Sequence, residues 1–160
     1  MLDHVANIKM SDNSIIIKDS YSLNYGRDFI WAQLNDPDIL AACIRGCAYV
    51  ERETAQNFKA VIRASLGGLK KDFDIHLAVD DRNAPEQYRL STIVSAGLMG
   101  KATGKADVSL NAITPSKTEL HYIATIDGSG MLGKALPLVE NLAANRVQAF
   151  FDAFVDHLNT

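Results

Sequence analysis

The chain has 160 residues, of which 48% are apolar and 22% charged, proportions typical of one globular domain with a buried core. With 16 basic and 19 acidic residues its net charge is −3, so no basic field is present for a nucleic-acid backbone, and nucleic-acid binding is disfavoured. No signal-peptide pattern occurs, and no apolar run reaches the about 18 residues of a membrane span, so we predict one cytoplasmic domain over residues 1–160.

The N-terminal third predicts one strand and two short helices. Residues 1–13 show no pattern and are expected to be poorly ordered. From Ser14 to Leu23 the chain is rich in β-branched residues, which predicts the first strand. Apolar residues at helical spacing predict a helix over residues 27–34. Asp36 as N-cap and Pro37 at the first helical position predict a second one.

The middle of the chain changes to an apolar period close to two, which predicts strands. The turns between these strands are too short for parallel crossovers, so the strands form an antiparallel meander. Six strands are predicted, over residues 47–53, 56–66, 69–81, 86–96, 100–113 and 116–127.

The C-terminal segment, residues 132–158, carries apolar residues at a spacing of three to four and predicts a long amphipathic helix. Pro137 lies within it, and we expect the main helix to begin there. This helix is the element long enough to cover the sheet. The sequence therefore predicts an α+β fold in which seven antiparallel strands wrap around a long C-terminal helix, with two short helices between strands 1 and 2.

Alternation along each strand predicts which side chains face inward. On the strand over residues 100–113 the inward residues are small, beginning with Ala102, Gly104 and Ala106. They have two interpretations, a close approach of the helix or an interior cavity. The predicted interior contains almost no acid, so paired-carboxylate catalysis has no support. Tyr88 and Tyr122 are the best inward polar groups, and each is expected to satisfy a structural hydrogen bond.

Several motifs suggest chemistry but have simpler explanations. Residues 128–134 have the spacing of a phosphate-binding loop, yet Ala135 stands where the motif needs Ser or Thr, and the preceding strand belongs to a meander. Asp72, Asp74 and His76 alternate with large apolar residues, which places them on the solvent face rather than around a metal.

The two cysteines, Cys43 and Cys47, have no second Cys or His cluster with which to complete a zinc site. We expect them to be buried and inert. The sequence also lacks a nucleophile elbow and a triad pattern. We predict no catalytic residue and no metal site.

The run WAQLNDPDILAACIRGC at residues 31–47 resembles the opening motif of the carbon monoxide dehydrogenase G-subunit family, W-x-x-L-x-D-P-x-x-L-x-x-C-I-P-G-C. The similarity covers residues 14–158, and Arg45 and Gly68 depart from it where the family has proline. Later matches are GGLK at 67–70 with Phe73, Tyr88 with Leu90, Gly100 with Gly104, TELHY at 118–122, and FF at 150–151.

This resemblance implies the polyketide cyclase and lipid-transport superfamily, with a START-like helix-grip fold and a deep hydrophobic cavity. It implies an accessory role beside a molybdenum hydroxylase of the carbon monoxide dehydrogenase type, and a lipid- or quinone-like ligand. It implies no catalytic residue, and we expect no cofactor. Many relatives continue into a hydrophobic or amphipathic tail where this chain stops at Thr160, which disfavours a membrane tether but leaves peripheral membrane contact open as an alternative.

We therefore predict that the protein binds an apolar small molecule in an internal cavity. Two alternatives stay open, an accessory or maturation factor that acts through its surface, and a cyclase- or aromatase-like enzyme. The predicted pocket lining consists of Trp31, Phe58, Ile62, Phe73, Leu77, Tyr88, Leu90, Ala106, Tyr122, Leu136, Val139, Ala143 and Phe150.

Overall fold

The computed structural model of the protein describes residues 7–11, 14–66, 69–95, 97–128 and 146–160. Within these ranges the chain forms eight strands, three α-helices and one 3₁₀ turn. In chain order the elements are β1 (Asn7–Ser11), β2 (Ser14–Leu23), α1 (Arg27–Leu34), α2 (Pro37–Cys43), β3 (Cys47–Thr54), β4 (Asn57–Leu66), β5 (Leu69–Asp80), β6 (Gln87–Ser95), the 3₁₀ turn (Gly97–Met99), β7 (Lys101–Thr114), β8 (Lys117–Gly128) and α3 (residues 146–158).

The strands form one antiparallel sheet in the order β1-β2-β8-β7-β6-β5-β4-β3. From β3 to β8 the order follows the chain, as short turns require. Between β2 and β3 the chain crosses from one side of the sheet to the other, and this connection carries α1 and α2. The predicted helix-grip architecture and its seven strands are confirmed.

An additional strand, β1, pairs with the first half of β2 from Asn7 opposite Lys18 to Ser11 opposite Ser14. The expectation that residues 1–13 are poorly ordered is therefore wrong for residues 7–11. The sequence of these five residues shows little alternation typical of a strand. They form one because pairing with β2 satisfies their backbone hydrogen-bonding groups. Residues 1–6, 12 and 13 lie outside the described part of the chain.

The link between α1 and α2 forms as the sequence predicts. The Asp36 carboxylate caps α2 by accepting a hydrogen bond from the Asp38 amide at 2.9 Å, and Pro37 occupies the first turn. Arg52 of β3 donates to the Asn35 carbonyl. These contacts tie the helical connection to the sheet.

The two cysteines lie at the end of α2 and the start of β3. Cys43 is buried and Cys47 half-buried, and both are free thiols. Burial raises the pKa of both thiols, so little reactive thiolate forms near neutral pH.

Side chains along β5 alternate between the two faces of the sheet as predicted. Asp72, Asp74 and His76 are exposed, and Val79 is buried among the inward residues. The inward face of the sheet meets α3. The predicted start of the helix at Pro137 falls in residues 129–145, which lie outside the described residues.

One end of this interior is closed by the last turns of α3. Phe154 is fully buried and Leu158 nearly so, in a single core cluster with Leu110 and Leu120 of the β7–β8 hairpin. The Tyr25 hydroxyl donates to the Leu158 carbonyl at 2.5 Å and so holds the end of the helix in place. We call this end of the molecule the closed end.

Gly46 lies in the turn before β3, and its backbone conformation can be tested by substitution. Its φ of +76° is unfavourable for other residues, and a Cβ there would clash with the Arg63 carbonyl oxygen. We predict that Gly46→Ala lowers the free energy of unfolding by about 2 kcal/mol or more. Urea titration followed by circular dichroism measures the change.

Gly104 in β7 is the matched control, because a Cβ there would approach Thr125 O and Thr92 Cβ only to 3.7 and 3.8 Å. Gly104→Ala should leave stability unchanged or raise it by about 0.5–1 kcal/mol. Equal destabilisation by both substitutions would contradict this description of the two glycines.

Candidate functional site

On β5 and β6 the inward face of the sheet is buried at the closed end and half-buried toward the opposite end, which we call the open end, whereas Ile15 of β2 and Ala102 of β7 are buried at the open end as well. On β5, Val79 is buried, whereas Leu77 and Phe73 are half-buried. On β6, Tyr88 is buried and Leu90 half-buried. Large apolar side chains that point inward and yet keep accessible surface are the feature expected of a ligand cavity rather than a sealed core.

The floor of this half-buried region is made of small residues on the two central strands. Ala106 of β7 lies opposite Ala124 of β8 and opposite Leu90 of β6. One step toward the open end, Gly104 lies opposite Ile126. Residues with little side-chain volume therefore line this part of the inward face.

Aromatic rings on α1 and α3 pack against the same core. Trp31 of α1 contacts Tyr88 edge-on, with 4.6 Å between ring centroids. On α3, the Phe150 ring lies 5.1 Å from Phe151 and 6.1 Å from Phe154. Such rings combine large apolar area with few rotatable bonds, which suits contact with a flat or linear apolar molecule.

Beside the open end lies a cleft of about 500 Å³ whose lining includes Arg63, Lys70 and Arg146. In the 3₁₀ turn Gly97–Met99, Leu98 is fully exposed. The rim of the open end therefore combines cationic groups with an apolar side chain.

The predicted lining residues divide into two groups. Those that are buried in the core are Phe58, Tyr88 and Tyr122, and those that are half-buried are Trp31, Ile62, Phe73, Leu77, Leu90, Ala106 and Phe150. Contact of the half-buried group with a ligand stays a prediction. Leu136, Val139 and Ala143 lie outside the described residues.

The interior also contains a polar cluster formed by Asp19, Tyr21, Tyr122 and Asp152, of which the sequence predicted only Tyr122 as an inward polar group. The expectation of an interior almost without acid is wrong. Asp19 lies on β2 between the inward residues Ile17 and Tyr21, and its Oδ2 atom is buried. Alternation along β2 is the signal that could have placed Asp19 inside.

The cluster is held together by strand pairing and by ring stacking. Asp19 lies directly opposite Tyr122 in the β2–β8 ladder. The Phe151 ring stacks on both tyrosines, with centroid distances of 4.9 Å to Tyr21 and 5.0 Å to Tyr122. Asp152 follows Phe151 on α3. Two strands and the helix thus bring four polar side chains to one place.

Electrostatics in the cluster follow from its burial. Desolvation raises the pKa of Tyr21, and the negative charge of Asp19 adds to the effect, together with a hydrogen bond between the two side chains. Desolvation, and to a lesser extent the Asp19 charge, also raises the pKa of Tyr122. Both tyrosines keep their protons across the physiological range.

The outer face of the sheet bears exposed polar pairs. Arg63 forms an ion pair with Asp72 at 2.9 Å, and the His121 Nε2 atom lies 2.7 Å from a Glu119 carboxylate oxygen. In the described ranges no group of three or more His, Cys, Asp or Glu side chains is arranged to hold a metal ion. None of the described helices is long and apolar enough to cross a membrane.

Comparison with known proteins identifies the sequence family. Residues 20–160 match the CoxG family model, described as the G-subunit of carbon monoxide dehydrogenase. The predicted resemblance is therefore confirmed over most of the chain. No curated protein sequence matches the chain.

Solved structures share the fold at low sequence identity. A conserved protein from Geobacillus kaustophilus is similar with a TM-score of 0.78 and 23% identity, over 89% of this chain and 93% of that one. The Zhui aromatase/cyclase from Streptomyces sp. R1128 is similar with a TM-score of 0.67 and 13% identity, over 90% of this chain and 93% of that one. A START superfamily protein from Mycobacterium smegmatis is similar with a TM-score of 0.62 and 13% identity, over 90% of this chain and 97% of that one. These likenesses show the START-like fold.

Burial of the inward tyrosines predicts a loss of stability at alkaline pH. The unfolded chain ionises its tyrosines near their ordinary pKa of about 10, whereas burial raises the pKa of Tyr21, Tyr88 and Tyr122 in the folded state. Above that pH the folded state binds more protons than the unfolded state, so the free energy of unfolding falls as pH rises.

Tyr88→Phe removes one of these groups and should make the decline less steep by about 1.4 kcal/mol per pH unit above pH 10. Urea titrations at several pH values measure the slope. The exposed Tyr49→Phe is the matched control, and equal slopes for the two variants would contradict the assignment.

Proposed function

The chain belongs to the CoxG family of carbon monoxide dehydrogenase, and on that premise we propose that it binds a lipid- or quinone-like molecule on the half-buried inward face of its sheet. The family and the START-like fold together suggest hydrophobic ligand binding. The observation that carries the proposal is the set of large apolar side chains, above all Leu77 and Leu90, that point inward and remain half-exposed around a floor of Gly104 and Ala106.

Burial on this face accounts for affinity in simple terms. Each Å² of apolar surface removed from water contributes about 25 cal/mol, so covering a few hundred Å² of ligand and wall supplies several kcal/mol. The family implies the biological setting, an accessory role in the cytoplasm beside an enzyme of the molybdenum hydroxylase type. Family membership is the support for that part of the proposal.

A partner enzyme is tested separately from the ligand. Purified molybdenum hydroxylase from the same organism, immobilised on a sensor surface, should bind the protein, and binding should differ between ligand-loaded and ligand-free preparations. Absence of binding in both states would refute the accessory role and leave ligand binding untouched.

Filling the floor of the cavity should abolish ligand binding. We predict that Ala106→Leu weakens the binding of 2-decyl-1,4-benzoquinone at least tenfold, because the added side chain occupies space on the inward face. The single tryptophan of the chain, Trp31, contacts Tyr88, another predicted lining residue, so quenching of its emission follows the titration.

Ala78→Leu is the matched control, because Ala78 is exposed on the outer face of β5. It should bind the quinone as the wild type does. Thermal unfolding of each variant confirms that it is folded. Equal affinities for Ala106→Leu and Ala78→Leu would refute the inward face as the binding site.

A further inference from the structure

The cleft beside the open end is cationic, although the net charge of the chain is −3. Its described lining includes Arg63, Lys70 and Arg146 and contains no Asp or Glu. The rest of this lining is small or neutral and consists of Gly46, Cys47, Ala48, Ala64 and Ser65. Within the described ranges no carboxylate forms an ion pair with Lys70 or Arg146. This part of the chain therefore leaves two positive charges in the cleft without a counter-ion.

Strand pairing brings two of the three cations together. Arg63 and Ser65 lie on one face of β4, and Ser65 is directly opposite Lys70 of β5. Arg63 and Lys70 are thus diagonal neighbours, which lie about 7–8 Å apart in an antiparallel pair, within reach of long side chains. Both side chains are exposed, so their charged groups can contact one anion.

Arg146 reaches the same cleft from α3. Its Nη1 atom donates to the Arg45 carbonyl at 2.6 Å and would lie 3.5 Å from a Cβ on Gly46. The Gly46 carbonyl accepts from the Arg63 amide at 2.8 Å, so this turn lies directly against β4. A guanidinium carries several N–H donors, and the bond to Arg45 holds the group beside the cleft without using all of them.

The cleft lies where β4 extends beyond its neighbour. β3 begins at Cys47, opposite Ile62, so residues 63–66 have no strand on that side among the described residues. Burial raises the pKa of the Cys47 thiol, which therefore stays protonated near neutral pH. The thiol is then neither a counter-ion for the neighbouring cations nor a nucleophile, and the chemistry of the cleft is the binding of an anion.

We propose that this cleft binds a phosphate monoester. The inference goes beyond the proposed function and concerns a different part of the molecule. A phosphate monoester carries close to two negative charges and three acceptor oxygens, which match the fork of Arg146 and the ammonium of Lys70. The cleft volume of about 500 Å³ far exceeds the about 30 Å³ taken by one water, so the organic group that carries the phosphate also fits.

Other anions match this lining less well. A carboxylate has a single charge on two oxygens and so uses fewer of the donors. A nucleic acid requires basic groups along an extended surface, whereas these cations lie in one cleft of an acidic protein. A phosphate monoester on a soluble molecule and one at the head of a lipid present the same chemistry to the cleft.

Isothermal titration calorimetry with sn-glycerol 3-phosphate tests the site, with uncharged glycerol as the comparison ligand. Lys70→Gln and Arg146→Gln should each weaken binding about tenfold, the effect of losing a hydrogen bond between charged groups. Lys117→Gln is the matched control, because this exposed lysine begins β8 at the closed end, and it should bind as the wild type does. Thermal unfolding of each variant shows that it is folded.

Removing the carboxylate that competes for Arg63 should have the opposite effect. Asp72 holds the Arg63 guanidinium through two hydrogen bonds, so Asp72→Asn should tighten binding about two- to fivefold. Asp107→Asn is the matched control, because it frees Arg89 from the same kind of pair on β6 and β7, away from the cleft. It should leave the affinity for glycerol 3-phosphate unchanged.

Vesicles distinguish the two sources of the phosphate. If a lipid supplies it, phosphatidylcholine vesicles that contain phosphatidic acid should sediment with the wild-type protein and release it in the Lys70→Gln and Arg146→Gln variants. Vesicles of phosphatidylcholine alone should not bind. If a soluble molecule supplies it, glycerol 3-phosphate should bind in the calorimeter and neither kind of vesicle should sediment with the protein.

The site is refuted if the wild-type protein binds neither glycerol 3-phosphate nor the phosphatidic acid vesicles. It is also refuted if Lys117→Gln weakens binding as much as the two cleft variants do, because the attraction would then come from charge spread over the whole surface. Either result leaves the proposed binding of decylbenzoquinone on the inward face unaffected.

Discussion

The structure depends on the contact between one helix and a sheet that is much wider than the helix. Eight strands at a spacing of about 4.8 Å span roughly 34 Å, whereas a helix with its side chains is about 10 Å across. The described turns of α3 cover the closed end, where Phe154 and Leu158 join Leu110 and Leu120 in the core. Toward the other end of β5 and β6, the inward residues Phe73, Leu77 and Leu90 keep accessible surface.

The half-buried part of the inward face and the polar cluster are neighbours on β8, because Ala124 lies two positions after Tyr122 on the same face. In the binding mode that we propose, apolar contact provides affinity, and a small number of placed polar groups provides orientation and selectivity. The rim residue Arg146 lies at the opposite end from the closed core.

Much of this arrangement follows from the sequence, because period-two patterning and short turns fix antiparallel strands and their faces. The family motif at residues 31–47 adds the architecture. Three features could not be predicted from these patterns. Pairing of β1 depends on its neighbour rather than on its own pattern, Asp19 occupies an inward position that composition disfavours, and Asp152 lies beside the apolar stripe of its helix. Which inward residues are sealed and which stay accessible depends on where α3 rests, and local pattern does not encode that.

The most direct test is a crystal structure of the protein purified without added ligand or detergent. If the inward face is a binding site, elongated non-protein density should lie over Gly104, Ala106 and Ala124. A structure in which the chain's own side chains fill that space and no such density is present would contradict the binding of an apolar ligand.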